Sequence, residues 1–445
     1  MRECTRRLVS SGFVGISERQ PFGLAQGGKY FFTRNQSTLV AFAVGKAFMP
    51  GNAFKIVGAH TDSPVLKLKP KPLREGNGYL QCGVEVYGGG LWHTWLDRDL
   101  GLAGRVVVKN GDGFLSRLVH INRPILRVPS LCVHLQTSDE RAALKLNAED
   151  QLVPLLGLSE TSKDASGAAA AATESRLPSP LLQLLARELG VEPSAIVDFD
   201  LTLCDTQPAQ IGGINNELLF GPRLDNQMHC FTSVAALIEY ASSVDVETDA
   251  DVSMVVLFDH EEVGSESVGG ACSPIVRDAV ERISQAFQLN PGSEMYKIAL
   301  DKSLLVSADG AHALHPNYVG KHESKHQPKM NAGTVIKTNS NQRYATSGTT
   351  GFLVREIARR AGVPVQEFVI RQDSPCGTTI GPIVAANTGI RTVDVGIPQL
   401  SMHSIRETCG VKDLESNAKL LRAFFSIGRA VDESLREMDD DHDVA

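Results

Sequence analysis

The sequence predicts an α/β fold, a three-layer α/β/α domain interrupted by a mostly β insertion. Three observations carry that expectation. After residue 221, apolar runs of strand length alternate with stretches of helical period, as when helices cover both faces of a sheet. From Val65 to about Gln210 the texture changes to short alternating segments broken by Gly, Pro and Asn. Several apolar runs end in His, Asp or Glu, which is where open α/β sheets hold their ligands. A chain of 445 residues can bury more than one core. The texture changes divide it at 1–62, 63–209 and 210–445, with the outer segments forming one domain around the insertion.

The first strand is "AFKIVGAH", apolar from Ala53 to Ala59 except for Lys55, ending on His60 with Asp62 two residues later. Inside the insertion "LQCGVEVYGG", "GRVVVKNGDG" and "PSLCVHLQTS" read as strands. The low-complexity stretch Ser159 to Pro180 has no large apolar residue before Leu177 and reads as a mobile surface loop without chemistry. After "GPRLDNQ" the period becomes helical in "MHCFTSVAALIEYASS", which precedes the strand "VSMVVLF". Further strands, "SLLVSAD", "GTVIKTN", "EFVIRQD" and "RTVDVGI", are separated by helices such as "TGFLVREIARRAG", where Gly362 is placed as a C-cap. The acidic tail "SLREMDDDHDVA" reads as a frayed terminus.

Composition narrows the function. A net charge of −7 with scattered Lys and Arg leaves no footprint for nucleic acid. The eight cysteines form no CxxC pair and sit mostly in apolar runs, which predicts reduced thiols and a cytoplasmic setting. No apolar run approaches the roughly 18 residues of a membrane span, and the first residues lack the apolar core of a signal peptide, so neither anchor nor export is expected.

The chemistry gathers at strand ends. "VVLFDHEEVGSES" drives an apolar strand into Glu261 and Glu262, "SLLVSA" is followed by Asp309, and "RTVDVGI" by a loop carrying His403. With His60 and Asp225, at the head of a helix, these form a ligand set of His and carboxylate suited to borderline divalent cations such as zinc. Two metals sharing a bridging carboxylate could clamp one hydrolytic reaction. A further carboxylate must then take the proton of the attacking water, and the adjacent Glu261 and Glu262 offer one residue for each job. In extended chain they would point to opposite sides, so a turn must follow the strand, and Gly264 suits one. Asp62 can fix the tautomer of His60, since a ligating imidazole donates its other N–H. Singly, each is more often a polar cap or a solvated turn; their convergence on one sheet edge favours a metal-dependent hydrolase.

The motifs "GAHTDSP", "YGGGLWHTWLDRDL", "GPRLDNQ", "DHEEVGSES", "SADGAHALHPNY", "QRYATSG", "DSPCGTTIGPI" and "SMHSIRE" occur in this order over nearly the whole chain. In them the chain resembles the aspartyl aminopeptidase family of dinuclear zinc exopeptidases. The resemblance implies a zinc-exopeptidase-like catalytic domain with His60, Asp225, Glu262, Asp309 and His403 as metal ligands, Asp225 bridging, and Glu261 as general base. It implies two divalent ions, zinc before manganese or cobalt, and peptides with N-terminal Asp or Glu as substrates. Lys337 and Tyr344 would line the acidic pocket, although by itself Lys337 reads as an exposed strand position.

The same resemblance makes the insertion a dimerisation domain, with His134 reaching a neighbouring subunit's active site near the first carbonyl of the substrate. The assembly would be a homo-oligomer, a tetrahedral dodecamer. Two features depart from the family: a shorter stretch before "KYFFTRNQSTLVAFAVG", and the Ala/Ser-rich loop. The rivals are a dinuclear metal carboxypeptidase or deacylase of the same fold, and a non-catalytic oligomeric scaffold. The intact base and ligand positions argue against the scaffold.

Overall fold

The computed structural model describes residues 1–159, 177–287 and 293–435. Most of the Ala/Ser-rich stretch and the acidic tail beyond Leu435 lie outside them. By compactness the chain forms two units. The first comprises Met1–Asp62, Gln210–Met402 and the chain from Glu407 onward; the second comprises Ser63–Ala209 and His403–Arg406.

The first unit is built on a nine-stranded sheet. Its order is Val14–Gly15, Lys29–Arg34, Thr38–Val44, Val252–Phe258, Phe54–His60, Leu304–Ala308, Arg391–Gly396, Thr334–Thr338 and Val365–Val369. Four adjacent strands, from Val252–Phe258 to Arg391–Gly396, run parallel. Phe54–His60 and Val252–Phe258 are buried along their whole length, which explains why both read as continuous apolar runs.

Alternation then sorts side chains into two layers. Val57, Ala59, Val255, Leu257 and Val306 face one core with Leu237 of helix Leu224–Ala241, Leu353 of helix Gly348–Ala361 and Phe425 of helix Val411–Ser434. Ile56, Met254, Val256, Phe258 and Leu305 face another with Ile283 of helix Ile275–Ala286 and Val384 of helix Ile380–Thr388. This is the expected three-layer arrangement. Helix Gly348–Ala361 starts on a Ser347 capping box and stops on Gly362, whose φ of 65° is the left-handed geometry a glycine C-cap supplies. A smaller five-stranded sheet, which includes Leu218–Gly221 and Glu407–Gly410, completes the unit.

The second unit holds a six-stranded antiparallel sheet, ordered Gly113–Leu126, Leu100–Asn110, Ile196–Asp205, Val65–Gly76, Tyr79–Tyr87 and Leu155–Leu158. Its core includes Leu66, Leu102, Val106 and Leu203, packed with Leu181 and Leu185 of helix Ser179–Leu189. One expectation fails here. "PSLCVHLQTS" is not a strand: Val133–Leu135 is a single 3-10 turn, followed by helix Ser138–Ala142. Leu131, Val133 and Leu135 are all exposed, so their alternation has no face to bury within the chain, and that burial is what would have stabilised a strand.

The eight cysteines are free, but only Cys82, Cys204, Cys230 and Cys409 are buried. No helix among the described residues is long and apolar enough to cross a membrane.

Lys55, the polar interruption of strand Phe54–His60, is also buried. Its Nζ donates to Asp249 and to the Phe425 carbonyl, both at 2.6 Å, and so ties the central strand to helix Val411–Ser434. Removing one partner of a buried ion pair leaves an uncompensated charge. Lys55→Ala is therefore expected to lower unfolding free energy by about 3 kcal/mol in urea titrations, and an unchanged midpoint would show that the pair contributes nothing net.

Candidate metal centre

The parallel strands bring the predicted residues together. His60 ends the strand that lies between Val252–Phe258 and Leu304–Ala308, and it pairs across the ladder with Phe258. Glu261 and Asp309 leave the two flanking strands at the same edge, so the middle histidine is approached from both sides. His60 Nε2 lies 3.3 Å from Asp309 Oδ1, 3.3 Å from Asp225 Oδ1 and 4.0 Å from Glu261 Oε2. Two groups, His60 with Asp225 and Asp309, and His60 with Glu261 and Glu262, each present one ligand atom per residue within 4.8 Å of one another.

The turn required after Phe258 is present. His260 takes a φ of 62° and Gly264 a φ of 97°, and between them Glu261–Val263 forms a 3-10 turn that lets both glutamates approach His60. Asp62 braces it: its Oδ1 and Oδ2 accept the backbone N–H groups of Glu261 and Glu262, each at 3.1 Å. The same residue meets His60 Nδ1, through its carbonyl at 3.1 Å and its carboxylate at 3.4 Å. With Nδ1–H donated there, Nε2 is left free to act as a ligand atom among the carboxylates.

Asp225 opens helix Leu224–Ala241, where it and Asn226 keep non-helical dihedrals. A network absent from the sequence reading holds this kink. Glu407 Oε2 accepts the Asp225 N–H at 2.9 Å. Burial pushes the His229 pKa down to about 3, so its ring is neutral. Its Nε2 accepts the Ile397 N–H at 3.0 Å, which leaves Nδ1–H to donate to Asn226 Oδ1 at 2.5 Å. Asn226 Nδ2 in turn donates to the Ala308 carbonyl at 2.8 Å, linking the neighbours of Asp225 and Asp309.

Lys337 departs from the exposed position that its strand alone suggests: it is 1% exposed. Its Nζ donates to the Asp309 and Gly310 carbonyls at 3.1 Å, lies 3.6 Å from Asp309 Oδ2, and sits 5.0 Å from the centroid of the buried Tyr344 ring. The structure therefore brings His60, Asp62, Asp225, Glu261, Glu262, Asp309, Lys337 and Tyr344 into one unit. His134 and His403 belong to the other unit. There His134 is exposed, and His403 Nδ1 lies 3.1 Å from the Gly89 carbonyl.

Electrostatics follow from crowding acids around one imidazole. Burial pushes the Glu261 pKa up to about 8; His60 opposes that shift, while Asp309, Asp225 and Asp62 add to it. Burial resists charge on His60, yet Glu261, Asp225, Asp309 and Asp62 hold its pKa well above the ordinary imidazole range. Burial would also raise Asp309, but the Lys337 ammonium and the His60 ring keep it low.

Comparison with known proteins covers nearly the whole chain. The family model described as aminopeptidase I zinc metalloprotease (M18) matches residues 1–425. The chain belongs to that family. A Ricinus communis protein named "Probable aspartyl aminopeptidase" is 50% identical, with 95% of this chain and 91% of the relative covered. The solved structure of Ape4 in complex with Nbr1 superimposes with a TM-score of 0.94 at 43% identity, covering 98% of this chain and 84% of that one. The "S. cerevesiae mApe1 dodecamer" gives a TM-score of 0.85 at 34% identity, covering 98% and 94%.

The residues fit a zinc metalloprotease. Asp62, Asp225, Glu261 and Asp309 surround one imidazole, and this concentration of buried negative charge calls for a cation. The ligand atoms are nitrogen and oxygen with no thiolate, as suits zinc in a catalytic setting. Without a metal, the surrounding carboxylates, Glu261 first among them, favour a proton on the His60 ring, and that proton must leave when a metal binds Nε2. Zinc titrated into chelator-stripped protein at pH 7 should therefore release about one proton or more per chain, read by calorimetry in buffers of different ionisation enthalpy. Apparent affinity should rise with pH as the raised His60 proton becomes easier to remove, and binding without proton release would contradict this account.

Proposed function

We propose that the chain removes N-terminal Asp or Glu from peptides, using two divalent ions, zinc by preference, and Glu261 as general base. The observation that carries the reading is the convergence of Asp225, Glu261, Glu262 and Asp309 on His60, in a chain of the zinc metalloprotease family. Asp225 is assigned as the bridging ligand, with His60, Asp309, Glu262 and His403 as terminal ligands. Bound there, divalent ions would polarise the scissile carbonyl and lower the pKa of a water between them.

The chain's own groups handle the proton. Glu261 accepts it from the attacking water and returns it to the leaving amine, as microscopic reversibility demands of one shared acid and base. Asp62 supports both the base and a ligand, orienting His60 through Nδ1 and holding Glu261 through its backbone N–H. The products are a free amino acid and a shortened peptide. Asp225 stays placed through Glu407 and the Asn226–His229 network.

Acidic specificity is assigned to Lys337 and Tyr344, in keeping with the name of the Ricinus communis relative. Lys337 is a buried ammonium that, among the described residues, forms an ion pair with one carboxylate, Asp309 at 3.6 Å, so a substrate carboxylate would add a further counter-charge in direct contact. A neutral residue offers none, which favours acidic substrates.

We assign the second unit to self-association into a homo-oligomer, by analogy with the dodecamer formed by mApe1. In that assembly His134 would serve a neighbouring subunit's substrate carbonyl. The exposure of Leu131, Val133 and Leu135 around it suits a surface that another subunit covers. Free cysteines suit a cytoplasmic setting.

Glu261→Gln should retain its metal content by elemental analysis while turnover of an N-terminal Asp peptide falls by roughly 100-fold or more. Surviving turnover would place the base elsewhere. Lys337→Ala should raise KM for Asp peptides by roughly tenfold or more relative to Leu peptides. An equal loss on both would remove Lys337 from the specificity pocket.

A further inference from the structure

The strand "RTVDVGI" carries a charge in its centre that neither the metal set nor the base accounts for. Asp394 is fully buried in strand Arg391–Gly396. Its Oδ1 accepts the hydroxyls of Ser307 and Thr379, both at 2.6 Å, and its Oδ2 accepts the Ala345 N–H at 2.6 Å. Its own backbone N–H donates to Thr346 Oγ1 at 2.9 Å. One sheet residue thus grips two successive residues of the segment that follows Tyr344. Space around it is tight, since a Cβ on Gly381 would lie 2.3 Å from Asp394 Oδ2.

We propose that Asp394 is a positioning residue for acidic-substrate selectivity: it clamps Ala345 and Thr346 to the sheet and so fixes Tyr344 beside Lys337. The inference rests on the assignment of Lys337 and Tyr344 to the acidic pocket. Tyr344 is buried with Ala311, Val335 and Phe368, and its ring flanks the Lys337 ammonium. If the turn after it loosens, the pocket wall moves while the carboxylates around His60, held by Asp62 and the Asn226–His229 network, stay in place.

Charge and position predict opposite signs. The Asp394 carboxylate interacts with Lys337, so neutralising it alone would leave Lys337 more attractive to an acidic substrate. Asn at 394 can still accept from Ser307 and Thr379, but its amide would face the Ala345 N–H, donor against donor. Loss of the clamp should therefore weaken acidic binding despite the removed negative charge.

The experiment compares Asp394→Asn with the metal-loaded wild type on matched N-terminal Asp and Leu peptides, together with hydrogen exchange over residues 340–350. The expected result is a KM for Asp raised roughly tenfold, the energy of about one charge-assisted hydrogen bond. Leu kinetics should stay within about twofold, and exchange should accelerate at 343–347. Thr346→Val, which removes only one acceptor and leaves the carboxylate intact, should shift the Asp/Leu ratio the same way by less, and it keeps the test available if the first variant folds poorly. A lowered KM for Asp, an equal loss on both peptides, or an unchanged ratio in both variants would overturn the proposal. A wild type without preference for Asp would overturn the acidic-pocket reading and this inference with it, whereas a wild-type preference that survives both substitutions overturns this inference alone.

Discussion

Buried negative charge at the carboxyl ends of adjacent parallel strands is the constraint around which the first unit is organised. Asp225, Glu261 and Asp309 approach one imidazole nitrogen within 4.0 Å. Carboxylates gathered so closely out of water are unfavourable unless cations and N–H donors compensate them. The fold supplies part of that compensation through Lys337 at Asp309, the Asp225 N–H bond to Glu407, and Asp62, whose own charge is met by two backbone N–H groups. Divalent ions are suited to supply the rest. A site that needs a cation to be comfortable is also a site that selects one.

Holding such groups together requires rigid supports, and these are sheet ends rather than free loops. His60 is the last residue of a strand buried on both faces, so it cannot shift without moving the core. The glutamates follow a turn entered by His260 at a φ of 62°, a conformation an L-residue adopts at some cost. Asp62 offsets that cost by bonding the two N–H groups that the turn exposes. The same carboxylate stands beside the His60 ring, so the proposed general base and the candidate histidine ligand share one support. Displacing one should displace the other.

Much of this was legible in the sequence because periodicity and punctuation are one-dimensional signals. The apolar runs, the alternating helices and the Gly362 cap translate directly into layers, and polar residues at the ends of parallel strands fall at one edge by topology. The turn after Phe258 could be inferred from the need to bring two adjacent carboxylates to one place. What failed was the segment around His134. Its alternating Leu, Val and Leu resemble a strand, but alternation reports a strand only where one face is buried, and these side chains stand exposed. The network of Glu407, Asn226 and His229 was invisible for another reason: its partners are up to 182 residues apart and ordinary in their local context.

The sequence carries a more general signal. Lys55, His229, Lys337 and Asp394 each interrupt an apolar run, and all four are buried. A charged or polar side chain in such a place costs several kcal/mol unless it is paired, so its presence implies partners even when the sequence does not name them. The partners decide the role. Lys55 meets Asp249 and a helix carbonyl and acts as a tie between layers. His229 reaches the neighbours of two candidate ligands and acts as a brace. Lys337 presents an ammonium to Asp309 and to the face of Tyr344, and Asp394 grips the chain just after that tyrosine. Identical signals in one dimension thus become structural or functional according to what lies at the far end of the hydrogen bond, and that is information only the folded chain contains.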